Sequence, residues 1–268
     1  MADDERVCAA WLHGSSARGG GDALSDLDLV VVVPDELIKE IAGGPRSPVD
    51  YRHVLDSPRG RWVASILEPL LLLEAPQNAP AGGAFLTTLT AGADGPQQVD
   101  WEWLPRSSAR RPLESVILID RELPPVEASA TEPAGPGPAP ERTVFEIACH
   151  AVPWFWMTLL WNAKSAARHA GSMPMLAATL GALHDVEHFV GRESPPTSVP
   201  DRDPFGVLAG LSDRMDELRS AGSPLFADVP DRVGSQARRF IEVARAVAEV
   251  RQSQGAGQRG CRARDLAT

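Results

Sequence analysis

Asp26 and Asp28 stand one residue apart in SDLDLVVVV, at the head of an apolar run. In an extended strand, alternate residues share a face, so both carboxylates project together while Leu27 and Leu29 turn to the core. Paired like charges at the mouth of a buried strand are costly unless something neutralises them. A divalent cation does this well, and Mg²⁺ favours a few carboxylates together with phosphate oxygens. The preceding stretch, GSSARGGGDALS, suits a polyphosphate. Gly14 allows close approach of the backbone, Ser15 offers a hydroxyl and an N–H, and Arg18 adds positive charge to a polar, mobile loop. No GK[ST] follows, so this is not a Walker A loop. The glycine run leads into a strand rather than a helix, which excludes a dinucleotide fingerprint.

These residues need two strands to hold them. Residues 7–14 (VCAAWLHG) read as one, and 27–33 (LDLVVVV) as a second that is covered on both faces, because alternation stops after Asp28. Pro34 ends the second, and Asp35 is positioned to cap a short helix, DELIKEIA. Residues 49–66 predict a helix around Trp62, 69–75 (PLLLLEA) a strand broken by QNAPAGG, and 83–105 a hairpin turning at Asp94-Gly95. SVILID (115–120) is a further strand. A Pro/Ala/Gly-rich segment follows, and beyond it the period changes. Residues 143–170, 174–191, 205–221 and 230–252 carry helical spacing, with Pro153 expected to end, start or kink the first helix. The fold class is therefore α+β: a mixed-sheet domain (1–122), a linker (123–142), an all-α helical bundle (143–254) and a flexible tail (255–268).

Composition narrows the function classes. The net charge of -10 argues against non-specific nucleic-acid binding and suits cationic substrates. Cys8, Cys149 and Cys261 are scattered and form neither a disulfide framework nor a CxxC metal site. No apolar run reads as long enough to cross a bilayer, and the acidic N-terminus MADDER lacks the basic start of a signal peptide, so a cytoplasmic location is expected with no membrane partner. Only Lys39 and Lys164 are lysines, which sets Lys164 apart.

A strand ending in Gly14-Ser15, a loop of this length and Asp26-x-Asp28 opening the next strand resemble the nucleotidyltransferase superfamily of the DNA polymerase β type. The closest likeness is to bacterial aminoglycoside and other small-molecule nucleotidyltransferases with a helical C-terminal domain. The resemblance implies that Asp26 and Asp28 bind Mg²⁺ and that Gly14 and Ser15 contact the nucleotide phosphates. It also implies a third carboxylate on a later strand. VDWEW supplies candidates there: Asp100 and Glu102 share one face, with Val99, Trp101 and Trp103 on the other. By resemblance, Asp100 is assigned as metal ligand or general base, and Glu102 is the second candidate.

Related enzymes often bring a basic residue of the helical domain to the triphosphate. Lys164 in WNAKSAARHA could serve so, against the alternative of a solvated helix face, and Arg18 is weighed as a loop solubiliser in the same way. The implied reaction transfers AMP from ATP to a hydroxyl of a small molecule, an aminoglycoside-like polycation among them, and releases pyrophosphate. Two alternatives are a protein adenylyltransferase of toxin–antitoxin type and a catalytically weak nucleotide-binding regulatory module. Family members usually carry a helix before the first strand, whereas six residues precede it here; either that helix is lost or the start is late, which bears on the sheet edge. Trp154, Phe155, Trp156 and Trp161 are expected to pack the core or line an interdomain cleft, and His13 to be structural. HDVEH (184–188) matches an inverted zinc-protease motif, but a helix face in the bundle explains it better.

Overall fold

Apolar runs in the first 33 residues begin a sheet, and a third strand from the hairpin completes its centre. In the computed structural model, which describes Met1 and residues 3–43, 51–127, 142–192, 203–227 and 229–265, β1 (Ala9–His13) leads through one helical turn, α1 (Gly14–Ala17), to β2 (Leu27–Val33). β1 and β2 are antiparallel, with Trp11 opposite Val30 and His13 opposite Asp28. α2 (Asp35–Ile41), α3 (Tyr51–Asp56) and α4 (Pro58–Ile66) then lead to β3 (Pro69–Leu73) and the long hairpin of β4 (Ala84–Gly92) and β5 (Gly95–Pro105). β6 (Arg111–Pro112), β7 (Val116–Ile119) and β8 (Val126–Glu127) end the first half. Among the described residues, one six-stranded mixed sheet runs β3-β4-β5-β2-β1-β7, and β6 and β8 form a separate parallel pair.

β2 and β5 are the parallel neighbours at the centre of the sheet. Alternation sorts their side chains. Leu29, Val31 and Val33 join Val99, Trp101 and Trp103 in the main core, while Val30, Val32 and Leu104 join Trp11 in a smaller cluster on the other face. Burial on both faces explains why LVVVV shows no polar alternation. β1 is not an edge, because β7 pairs with it on the far side; the sheet edge in question at the N-terminus is thus occupied by a later strand.

The second half is helical: α5 (Val144–Arg168), α6 (Leu176–Phe189), α7 (Pro204–Ser220) and α8 (Val233–Asp265). Thr143 caps α5 in a capping box with Glu146, each side chain bonding the other's backbone N–H. The main core is continuous from the sheet into these helices, joining Leu86 and Trp103 to Phe155, Leu159 and Ala244.

Three expectations need correction, and one is narrowed. Asp35 is the first residue of α2 rather than its cap, and its carboxylate accepts the Ser107 backbone N–H at 2.9 Å. Pro153 neither starts nor ends α5 but lies inside it, which leaves the kink of the three alternatives. α5 is, by length and composition, apolar enough to cross a membrane, but 61% of its most apolar window is buried inside the fold, as in the core helix of a bundle. α8 continues through residues 255–265, assigned above to a tail, since a helix already nucleated and packed extends at little cost per residue. Residues 128–141 of the expected linker lie outside the described residues.

A buried ion pair fastens the helices of the first half to the sheet. Arg59 on α4 donates to Glu74 Oε1 at 2.6 Å and 2.9 Å, and to the carbonyls of Ile41 and Gly43. Both side chains are almost fully buried. Removing one partner of such a pair strands the other charge. Glu74→Ala is expected to cost about 3–5 kcal/mol in urea unfolding; a loss below about 1 kcal/mol would contradict this account.

Candidate active site

The parallel register of β2 and β5 sets the site. Asp28 lies opposite Asp100, and the next step along the same face sets Val30 opposite Glu102. β1 adds His13 opposite Asp28, and β4 adds Thr87 opposite Asp100. His13, Asp28, Asp100 and Thr87 thus form one row across four strands. Asp26 stands just ahead of β2.

Gly14 makes this row possible. Its φ is +72°, and a Cβ there would sit 1.9 Å from Asp28 Oδ2, so the turn packs directly on the carboxylate. Ser16 donates to the Asp26 carbonyl at 3.0 Å and ties the turn to the start of β2. The far end of the loop is also held. Asp22 accepts from the Leu24 N–H and Ser25 Oγ, and from Arg168 at 2.5 Å. The loop expected to be mobile is therefore opened by a helical turn and pinned at Asp22.

Like charges and burial act on these acids together. Burial raises the Asp100 carboxyl from its ordinary 3.8 to about 6, against the hydrogen bonds from Gln98 and Thr87, and Asp26 and Asp28 add to the rise. Asp28 is also raised, by burial first; His13 and Lys164 oppose this, and Asp26 and Glu102 reinforce it. His13 is raised above 6.5 by Glu102 beside it, against burial. Nε2 of His13 and Oε1 of Glu102 are 3.5 Å apart, a charge contact that leaves Nε2 without a well-formed hydrogen bond.

α5 supplies the countercharge. Trp161, Lys164 and Arg168 follow at helical spacing; Lys164 and Arg168 face the motif loop and Trp161 faces Gln98 of β5. Lys164 Nζ reaches Asp26 Oδ2 at 3.1 Å, and its side chain is only 14% exposed. Arg168 holds Asp22, which Arg251 of α8 also contacts at 3.2 Å. Trp161 Nε1 donates to Gln98 Oε1 at 2.8 Å, and Gln98 in turn donates to Asp100. The space between the loop and these helices is nearly filled, with a cavity of only about 10 Å³ lined by Leu24, Gln98, Lys164 and Phe240 among others.

Residues 2–54 match the family of nucleotidyltransferase domains. The N-terminal stretch of the chain is thus similar to nucleotidyltransferase domains. The match spans β1, the Gly14-Ser15 turn, Asp26 and Asp28, and stops before β5. No curated protein matches the chain.

Of the residues expected in the nucleotidyltransferase site, the fold brings Gly14, Asp26, Asp28, Asp100 and Lys164 together. Ser15 sits half-buried in the same turn, and Arg18 is exposed at its end. Glu102 is one step along β5 and is turned to His13. Carboxylate oxygens are the right donors for a hard cation. Among the described residues, however, no group of three or more His, Cys, Asp or Glu is set to hold a metal ion. Asp26 is spent on Lys164, and Asp100 on Gln98 and Thr87. The HDVEH acid is likewise committed, since Glu187 accepts from Arg214 at 2.8 Å.

Sequence reasoning missed Ser16, Asp22, Thr87, Gln98, Trp161 as a donor, and Arg168. Gln98 carried a signal, lying two residues before Asp100 on the same strand face. Asp22 and Arg168 carried none, because their pairing joins segments far apart in sequence.

Two outcomes follow. Gly14→Ala is expected to displace the Asp28 carboxylate and to destabilise the fold by roughly 1–2 kcal/mol through its left-handed backbone, measurable by chemical denaturation. For Asp100, the folded carboxyl holds its proton at a pH where the unfolded one has lost it, so the fold pays for ionisation as pH rises from about 4 through about 6. Asp100→Asn should therefore be the more stable protein at pH 7, by at most about 3 kcal/mol, with the gap closing toward pH 4. Urea midpoints at four pH values would show this, and a gap independent of pH would contradict it.

Proposed function

We propose that the protein transfers a nucleoside monophosphate, AMP from ATP, to a hydroxyl of a small molecule in a Mg²⁺-dependent reaction. The observation that carries this reading is the parallel register that sets Asp28 beside Asp100 on the face where Gly14 closes in. Residues 1–122 would form the catalytic part, and the helices of 143–254 would supply Lys164. Gly14, Ser15 and Arg18 would meet the phosphates, joined by Lys164, whose ammonium already lies at the acid row.

The acceptor hydroxyl oxygen would attack the α-phosphorus, forming one P–O bond as the bond to the leaving pyrophosphate breaks. Asp100 would take the hydroxyl proton; its carboxyl, raised to about 6, suits a general base near neutral pH. Glu102 is the weaker candidate because His13 engages it. Mg²⁺ would be held by Asp26 and Asp28, with Asp100 either the third ligand or the base, and would supply neutralising charge to the phosphate oxygens. The net charge of -10 favours a cationic acceptor of the aminoglycoside type, acting in the cytoplasm.

The test is incubation with Mg²⁺, labelled ATP or other nucleoside triphosphates, and a panel of aminoglycosides, following pyrophosphate release. Turnover should require a member of the panel and vanish with a chelator. Asp28→Ala should abolish it, Asp100→Asn should lower kcat by about 100-fold or more, and Glu102→Gln should stay within about tenfold. Unchanged turnover in Asp28→Ala would sink the mechanism. No turnover with any small acceptor, but label on a protein, would shift the reading to protein adenylylation. Nucleotide binding without any transfer would favour a regulatory module.

A further inference from the structure

We infer that Gln98 and Trp161 are positioning residues for Asp100, so that the helical half of the chain sets the orientation of the third carboxylate. The inference rests on the reading of Asp100 given above. Gln98 donates from Nε2 to both oxygens of Asp100, at 3.0 and 3.1 Å, while Thr87 Oγ1 donates to Oδ1 at 2.8 Å. Trp161 Nε1 donates to Gln98 Oε1 at 2.8 Å.

The direction of this chain is forced. An indole N–H can only donate, and an ionised carboxylate can only accept. The two ends of the Gln98 amide are therefore fixed: its oxygen must face Trp161 and its NH₂ must face Asp100. A flipped amide would set oxygen against carboxylate and NH₂ against N–H. Gln98 is buried, so neither mismatch could be relieved by water.

The indole bond is a selective feature. Among the described residues, the buried indole N–H groups of Trp11, Trp101 and Trp103 have no hydrogen-bond partner, whereas that of Trp161 is committed to Gln98. Trp154 packs edge-on against the Trp161 ring, with centroids 5.6 Å apart and planes at 86°, and holds its orientation. Three residues further along α5, Lys164 holds Asp26. One helix face thus restrains two acids of the site, Asp26 by charge and Asp100 through an amide.

The test is indole N–H NMR on protein labelled with ¹⁵N-tryptophan, in which the seven tryptophans give separate signals. Trp161 is assigned by the loss of its signal in Trp161→Phe. Asp100→Asn should shift the Trp161 indole signal with no ligand present, and Gln98→Leu should abolish that response in the Asp100→Asn/Gln98→Leu protein. An unmoved Trp161 signal in Asp100→Asn overturns the inference, as does a shift of equal size in the Gln98→Leu background. In the pyrophosphate assay, Trp161→Phe should lower kcat by about tenfold and leave the KM for the nucleotide unchanged, with its thermal melt close to that of the parent. A raised KM with kcat intact would also overturn it. If the parent turns over no substrate, the proposed function fails, while the indole response still decides whether Trp161 is coupled to Asp100. Gln98→Leu is required to fold only for the double variant; the Asp100→Asn response is read in the parent background.

Discussion

Parallel pairing of β2 with β5 sets Asp28 opposite Asp100, and the polar groups around them answer to the charge that results. Two carboxylates in one half-buried row repel and lose hydration together. Thr87 and Gln98 hydrogen-bond one of them, while His13 and Lys164 bring positive charge toward the other. The turn at Gly14 presses on Asp28 with a backbone that has no side chain to interpose. A site organised this way stores electrostatic cost in the free protein, which a cationic metal and its phosphates would relieve. That stored cost is the physical link between the sheet register and the proposed chemistry.

The helical half is part of the same arrangement. Its core runs without interruption into the sheet, and the face of α5 carrying Trp161, Lys164 and Arg168 closes over the loop that leads to Asp26. Lys164 exemplifies the difficulty of reading such a residue from sequence. On a helical wheel it is one polar residue among several, and only the docking of α5 on the loop gives it a carboxylate.

Local order was legible where local physics decides it. LDLVVVV carries β-branched residues without alternation, and it is a strand buried on both faces. VDWEW alternates cleanly, and its tryptophans take the core face. The 83–105 hairpin and the helical periods of the second half were equally readable, although the hairpin turns at Ala93-Asp94, between the paired Gly92 and Gly95, one residue before the expected Asp94-Gly95. Features that depend on partners distant in sequence were not. Asp22 reads as an ordinary loop acid until Arg168 and Arg251 arrive. Pro153 reads as an end, a start or a kink, and only the tertiary structure shows that α5 runs on through it. The pairing of Asp28 with Asp100, rather than with Glu102, is a matter of strand register, and a slip of two residues would have reversed it without changing any facing pattern.

The single turn α1 packs Gly14 against Asp28 while Ser16 bonds the Asp26 carbonyl, and the partners of Asp26 and Gln98 all project from one stripe of α5. This geometry makes α5 sensitive to phase. One inserted residue between Trp154 and Trp161 would rotate everything beyond it by about 100°, turning Lys164 and Arg168 away from the loop and the indole away from Gln98 at once. Substitutions on that stripe can be absorbed singly, but a change in its length cannot, so the helix acts as a ruler whose graduations must stay in step with the sheet.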